Sequence, residues 1–167
     1  MAGLVIQPAK SAPAIRSLKS LREEGVIIQK WENSCAAAAI ATVLTFAFGH
    51  PVSEQFAASS MLEKTNPDKI RNQGGFSLLD LKTFVEGRGF EGAAYKNLSV
   101  EDLALFKAPI VPIRVSGYNH YVVINSIRNK LVYLADPSFG NLVQSVDSFE
   151  KSWIDGLAFV VTERNTQ

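Results

Sequence analysis

Cys35 is the one cysteine in the chain, and it stands where a thiolate would be favoured. It follows Asn33 and Ser34, both N-cap types, and opens the run from Ala36 to Phe48, which has the composition of a strong helix. The first backbone N–H groups of a helix lack partners and carry the positive end of its dipole, which favours an anionic sulfur. His120 opens the otherwise apolar run HYVVINS, so a strand would hold its ring rigidly. Asp136 closes the following run, KLVYLAD, just before Pro137. Gln29 lies six residues before Cys35, in the segment leading into the helix. Nucleophile, base, a carboxylate to orient the base and an amide to meet an oxyanion are the parts of acyl transfer through a thiol.

Each of these residues also has an ordinary reading. A lone cysteine is often a small buried apolar residue. A histidine beside a turn is often exposed, or a satisfied core residue. Asp-Pro commonly starts a turn, and a glutamine in a connection is usually at the surface. What joins two of them is geometry. If HYVVINS and KLVYLA pair through a turn at Arg128-Asn129, His120 falls beside the region of Asp136 at the open end of the hairpin.

Other chemistries are poorly served. One Cys and two distant His, His50 and His120, give no metal-ligand cluster, and no cofactor is implied. Gly74-Gly75 lacks the Lys and the spacing of a phosphate loop. Glu23-Glu24 reads as a solvated helix end. The net charge of +1, without a basic run, makes no case for nucleic acid. The best apolar stretch, Cys35 to Phe48, is too short to span a bilayer and is interrupted by Thr42 and Thr45.

The elements that must position these residues follow from periodicity and caps. Residues 1 to about 13 read as a loose arm. Ala14 to Arg22 places Ile15, Leu18 and Leu21 on one helical face, and Val26-Ile27-Ile28 reads as a short extended segment. Helices are expected from Cys35 to Phe48, Ser53 to Leu62, Ser77 to Gly87 and Ser99 to Phe106. The pairs Ser77/Asp80 and Ser99/Asp102 have capping-box spacing. Thr65 to Gly75, polar with Pro67, Gly74 and Gly75, reads as a loop.

Strands are expected at Phe90 to Tyr95, Pro109 to Val115, His120 to Ser126, Lys130 to Ala135 and Leu157 to Thr162. Turns fall at Ser116–Asn119 and Arg128-Asn129, with a short helix within Val146 to Trp153. Helices first and an antiparallel sheet after them make an α+β layout. At 167 residues, residues 1–24 form an arm and short helix and 25–167 one domain.

The order of motifs is more specific than any one of them. Gln29 is followed by KWENS and Cys35 on an Ala-rich helix, then by GGFSLLDLKTFVEGRGF and by Asn119-His120-Tyr121-Val122-Val123. Asp136-Pro137-Ser138-Phe139-Gly140, Phe149 and Trp153 come last. Over residues 25 to 162 this resembles the bacteriocin-processing cysteine peptidases, the papain-like family that cleaves double-glycine leader peptides. The resemblance implies a papain-like fold, a helical lobe packed on an antiparallel sheet. It also implies Cys35 as nucleophile, His120 as base, Asp136 as its orienter and Gln29 as oxyanion donor, acting on a polypeptide substrate. Ala36 departs from the glycine usual after the cysteine, which crowds the approach of a substrate backbone.

A narrower similarity, in SLKSLREEGVIIQK and in DPSFGN with SFEKSW, is to free-standing members encoded with functional-amyloid (Fap) secretion systems. It implies an exported, periplasmic protein whose signal sequence has been removed. Alternatives within the same resemblance are a related cysteine amidase or acyl transferase, and a degenerate domain that binds a leader peptide or serves assembly without cutting.

Overall fold

The computed structural model describes residues 16–164, so the expected loose arm and the first residues of the expected N-terminal helix lie outside the described part. The elements run α1 (Leu18–Arg22), α2 (Cys35–Thr42), α3 (Glu54–Leu62), α4 (Pro67–Gln73), α5 (Leu78–Glu86), β1 (Phe90–Tyr95) and α6 (Val100–Leu103). Then come β2 (Ile110–Val115), β3 (Tyr118–Arg128), β4 (Leu131–Asp136), β5 (Gly140–Ser145), α7 (Val146–Ser152) and β6 (Ala158–Glu163). The six strands form one sheet in the order β1-β6-β2-β3-β4-β5, with antiparallel neighbours. This is the α+β, papain-like arrangement of a helical lobe on an antiparallel sheet.

The sheet is buried on both faces. Val123, Ala135, Ile110 and Phe159 join Ile40, Leu44, Leu81 and Val85 of the helical lobe in one core. Val122, Ile124, Val132 and Leu134 join Leu103 and Phe149 in the other. That explains why β3 carries consecutive apolar residues, Val122-Val123-Ile124, rather than a strict alternation. The alanines of α2 are fully buried. With so little side-chain bulk, the helix lies close against the sheet and within contact of β3.

Several local expectations need correction. Thr65 to Gly75 is not a loop throughout: Pro67–Gln73 is helical, capped by the Asn66 side chain on the Asp68 N–H and closed by Gly74 at φ +74°. The element has no buried residue, so it carries no apolar period to betray it. The helix after Ser99 ends at Leu103, earlier than expected, although its capping box forms. The long helix from Cys35 passes after Thr42 into a π-helical turn, Val43–Ala47. The two threonines that interrupt the apolar run both have structural partners. Thr42 Oγ1 accepts from the Ile27 N–H at 2.9 Å, and Thr45 Oγ1 accepts from the Val52 N–H at 2.9 Å.

The first hairpin turn is tighter than expected, and the second has the expected length but lies one residue later. The first is Ser116-Gly117 and the second Asn129-Lys130, each a pair with positive φ that suits the right-handed twist of the strands. Val26-Ile27-Ile28 joins no ladder and is held by single hydrogen bonds instead.

Candidate active site

Cys35 is the first residue of α2 and is only 8% exposed. Asn33 and Ser34 were the expected caps, yet Asn33 adopts φ +63° and the Ser34 side chain makes no capping bond. The Ser34 hydroxyl lies instead 2.7 Å from the Trp31 carbonyl and 2.6 Å from Glu54. No side-chain cap therefore competes for the N–H groups of the first turn, which leaves the helix terminus able to receive negative charge from outside.

His120 stands on β3 and Asp136 at the end of β4. His120 Nε2 lies 2.8 Å from Asp136 Oδ1. The ladder between the two strands carries a bulge at Asn125, and its last pair is Val123 with Ala135. The two side chains therefore meet beyond the end of the regular pairing. Asp136 is buried, and its Oδ1 also accepts the N–H groups of Ser138, at 2.7 Å, and Phe139, at 3.3 Å. Pro137 lies inside this Asx turn and suits its shape.

Gly140, at φ +82°, closes the turn against the carbonyl of Arg22, where any β-carbon would collide. Arg22 Nη2 in turn donates to the Phe139 carbonyl at 2.9 Å. Asn125 and Asn141 bond to each other rather than to His120.

The ring nitrogen left over, Nδ1, is the one available to Cys35. Burial alone would depress the His120 pKa. The hydrogen bond and charge of Asp136, together with those of Cys35, outweigh burial and push it up to about 9. Tyr121, beside the cleft, is driven the other way: burial first, then negative charge at Cys35 and Asp80, raise its phenol to about 12 and keep it neutral.

Gln29 faces the same cleft as Cys35 and His120, a cavity of about 590 Å³ that also includes Asn33, Tyr118 and Ser138. Its backbone N–H donates to the Pro137 carbonyl at 2.8 Å. Its side chain is oriented at both ends: Oε1 accepts from Ser138 Oγ at 3.1 Å, and Nε2 donates to the Trp31 carbonyl at 3.2 Å. One N–H of the amide remains for the cleft. A second cavity, of about 200 Å³, reaches Cys35 from the side of Phe76, Ser77 and Tyr121. The two cavities adjoin at Cys35, Gln73, Gly74 and Asn119, a continuous space that suits a chain running past the sulfur.

Three of the four expected site residues, Gln29, Cys35 and His120, line one cleft, and the buried Asp136 stands behind it in contact with His120. Two contributors were not anticipated from sequence. Ser138 ties the Asp136 turn to the Gln29 amide, and its only signal was a hydroxyl within Asp-Pro-Ser. Glu54 reaches Ser34 from α3, and at the start of a helix it reads as a simple dipole partner. Among the described residues no group of three His, Cys, Asp or Glu could hold a metal ion. No described helix is long and apolar enough to cross a membrane.

If the amide serves an oxyanion rather than the thiolate, replacing Gln29 by alanine lowers turnover about 10²-fold and leaves the alkylation rate of Cys35 nearly unchanged. Unchanged turnover in a peptide-hydrolysis assay would remove Gln29 from the site.

The sequence profile of the peptidase C39 family matches residues 23–166. The chain is 36% identical over 148 residues to the probable functional amyloid protease FapD of Pseudomonas aeruginosa, which covers 88% of this chain and 64% of that protein. The chain therefore spans less than two thirds of the length of that relative. It is 28% identical over 140 residues to the lactococcin-G-processing and transport ATP-binding protein LagD of Lactococcus lactis, 80% of this chain and 18% of that one.

Among solved structures, the peptidase domain of Streptococcus ComA superposes with a TM-score of 0.69 at 23% identity, covering 83% of this chain and 98% of that domain. A double-glycine-motif protease from an AMS/PCAT transporter, solved with its leader peptide, gives 0.69 at 21% identity, with 83% and 91% covered. These structural likenesses speak for the fold.

Proposed function

We infer the activity from one premise: the chain belongs to the peptidase C39 family. It is a cysteine endopeptidase that hydrolyses a peptide bond through Cys35, His120 and Asp136. The observation that carries this reading is the 2.8 Å contact of His120 with the buried Asp136 in the cleft that Cys35 enters from a helix N-terminus. His120 takes the Cys35 proton, and the sulfur attacks the carbonyl carbon. Gln29 and the Cys35 N–H receive the oxyanion. His120 then returns its proton to the leaving amine, and water releases the acyl group. Asp136 keeps the ring oriented and balances its charge throughout.

The substrate is a leader peptide cut after paired glycines. This is supported by the family and by the two adjoining cavities that reach Cys35. The setting is secretion of functional amyloid, supported by the 36% identity to FapD, and it carries with it action in the periplasm. A degenerate binding domain is disfavoured by the intact Cys35, His120 and Asp136.

The test is incubation of the protein with a fusion carrying a double-glycine leader, read by mass spectrometry. One cut after the glycine pair, absent with Cys35→Ala, is expected. An uncut leader with a correctly folded wild-type protein would overturn the substrate assignment.

A further inference from the structure

Glu54 is a carboxylate that the proposed chemistry does not use, and it is almost entirely buried, at 3% exposure. Among the described residues it forms no ion pair. Its Oε2 is buried without a hydrogen-bond partner. Burying an acid in this way costs stability, so packing does not account for it.

Its other oxygen, Oε1, is engaged twice. The Lys30 N–H donates to it at 2.9 Å, and the Ser34 hydroxyl lies 2.6 Å away. Lys30 directly follows Gln29, and Ser34 directly precedes Cys35. One oxygen of α3 therefore grips both ends of the five-residue loop that separates the two oxyanion donors. The loop is pressed from its other side as well. Gly75, at φ +143°, brings its backbone so near the Asn33 carbonyl that a β-carbon would lie 2.9 Å from that oxygen. Asn33 itself sits in the left-handed region. A loop shaped by a distant helix, rather than by its own sequence, is set by that contact.

We propose that Glu54 is a positioning residue: by clamping Lys30 and Ser34 it holds the Gln29 amide and the Cys35 N–H at the separation that one oxyanion requires. The assignment rests on the peptidase reading above. Removing the clamp lets the two donors drift apart without touching the sulfur or its base. Displacements of about 1 Å at such donors are enough to cost about 10²-fold. Alkylation of Cys35 by iodoacetamide needs the thiolate alone, whereas addition of the sulfur to an aldehyde carbon turns the carbonyl into an oxyanion that needs both donors.

The experiment measures how well a peptide aldehyde ending in Gly-Gly protects Cys35 from iodoacetamide. In Glu54→Ala the protecting concentration is expected to rise about 10²-fold, with the rate of alkylation in the absence of aldehyde within about twofold of wild type. Glu54→Gln, whose Oε1 still accepts from both groups, should restore protection. Protection of Glu54→Ala at wild-type concentrations overturns the proposal. Should that variant fail to fold, Ser34→Ala releases one end of the clamp and must show the same split. Unchanged protection there overturns the proposal equally. A wild-type protein that the aldehyde does not protect overturns the peptidase reading and this inference together, which separates the two failures.

Discussion

Replacing His120 with alanine is expected to lower peptide hydrolysis about 10³-fold or more and to slow alkylation of Cys35 at neutral pH to the rate of an ordinary thiol. Both effects have one origin. His120 is the side chain that can take the sulfur's proton and then stand beside it as a cation, its pKa held up to about 9 by Asp136 and Cys35 against the pull of burial. Without the ring, the N-terminus of α2 alone must favour the thiolate. The check compares iodoacetamide rates and turnover in the wild type and His120→Ala, with circular dichroism to confirm the fold. Equal alkylation rates in the two proteins would break the pairing of Cys35 with His120.

The second large effect belongs to Asp136. Asp136→Ala deprives His120 and the Ser138 and Phe139 N–H groups of a shared buried acceptor. It should cost about 1–3 kcal/mol of stability for the orphaned groups and about 10³-fold in turnover. Asp136→Asn separates the two losses. Its Oδ1 still accepts from the turn, so the fold is largely retained, but the negative charge beside the ring is gone. His120 then loses its proton at lower pH, and the alkaline limb of the pH–rate profile moves toward neutrality.

Stability follows the same sign. A histidine whose folded pKa is raised from 6.5 to about 9 contributes stability that is full below 6.5 and lost as pH rises through 9. Urea midpoints for the wild type should therefore fall across that window, and those of Asp136→Asn should fall less. A wild-type pH profile in Asp136→Asn would remove the carboxylate's charge from the mechanism.

Helix starts were legible because their signals are local. Ser53, Ser77 and Ser99 each cap a helix through a backbone N–H three residues on, a contact that needs no other part of the fold. The strands were legible from β-branched runs, and the hairpin that brings β3 beside β4 from the turn between them. Pro67–Gln73 was not, because a helix that sets only Ile70 against the core has no apolar stripe, and Asn66-Pro67 reads equally well as a turn. Ser34 was misjudged for a related reason: its cap position is local, but the partner that claims its hydroxyl comes from α3, twenty residues away.

Residue types and their order along the chain were enough to mark the groups capable of thiol chemistry. The α+β layout was legible in the same way, since periodicity and caps depend only on near neighbours. What those residues face depends on contacts between distant segments. A bulge at Asn125 lets the ladder end before His120, so that the ring meets Asp136 past the last strand pair. Ser138 bonds the Gln29 amide across 109 residues, and Glu54 spans the loop between Gln29 and Cys35. Such contacts join segments far apart in the chain. They depend on distances of a few tenths of an ångström between packed elements, which no local pattern of residue types encodes.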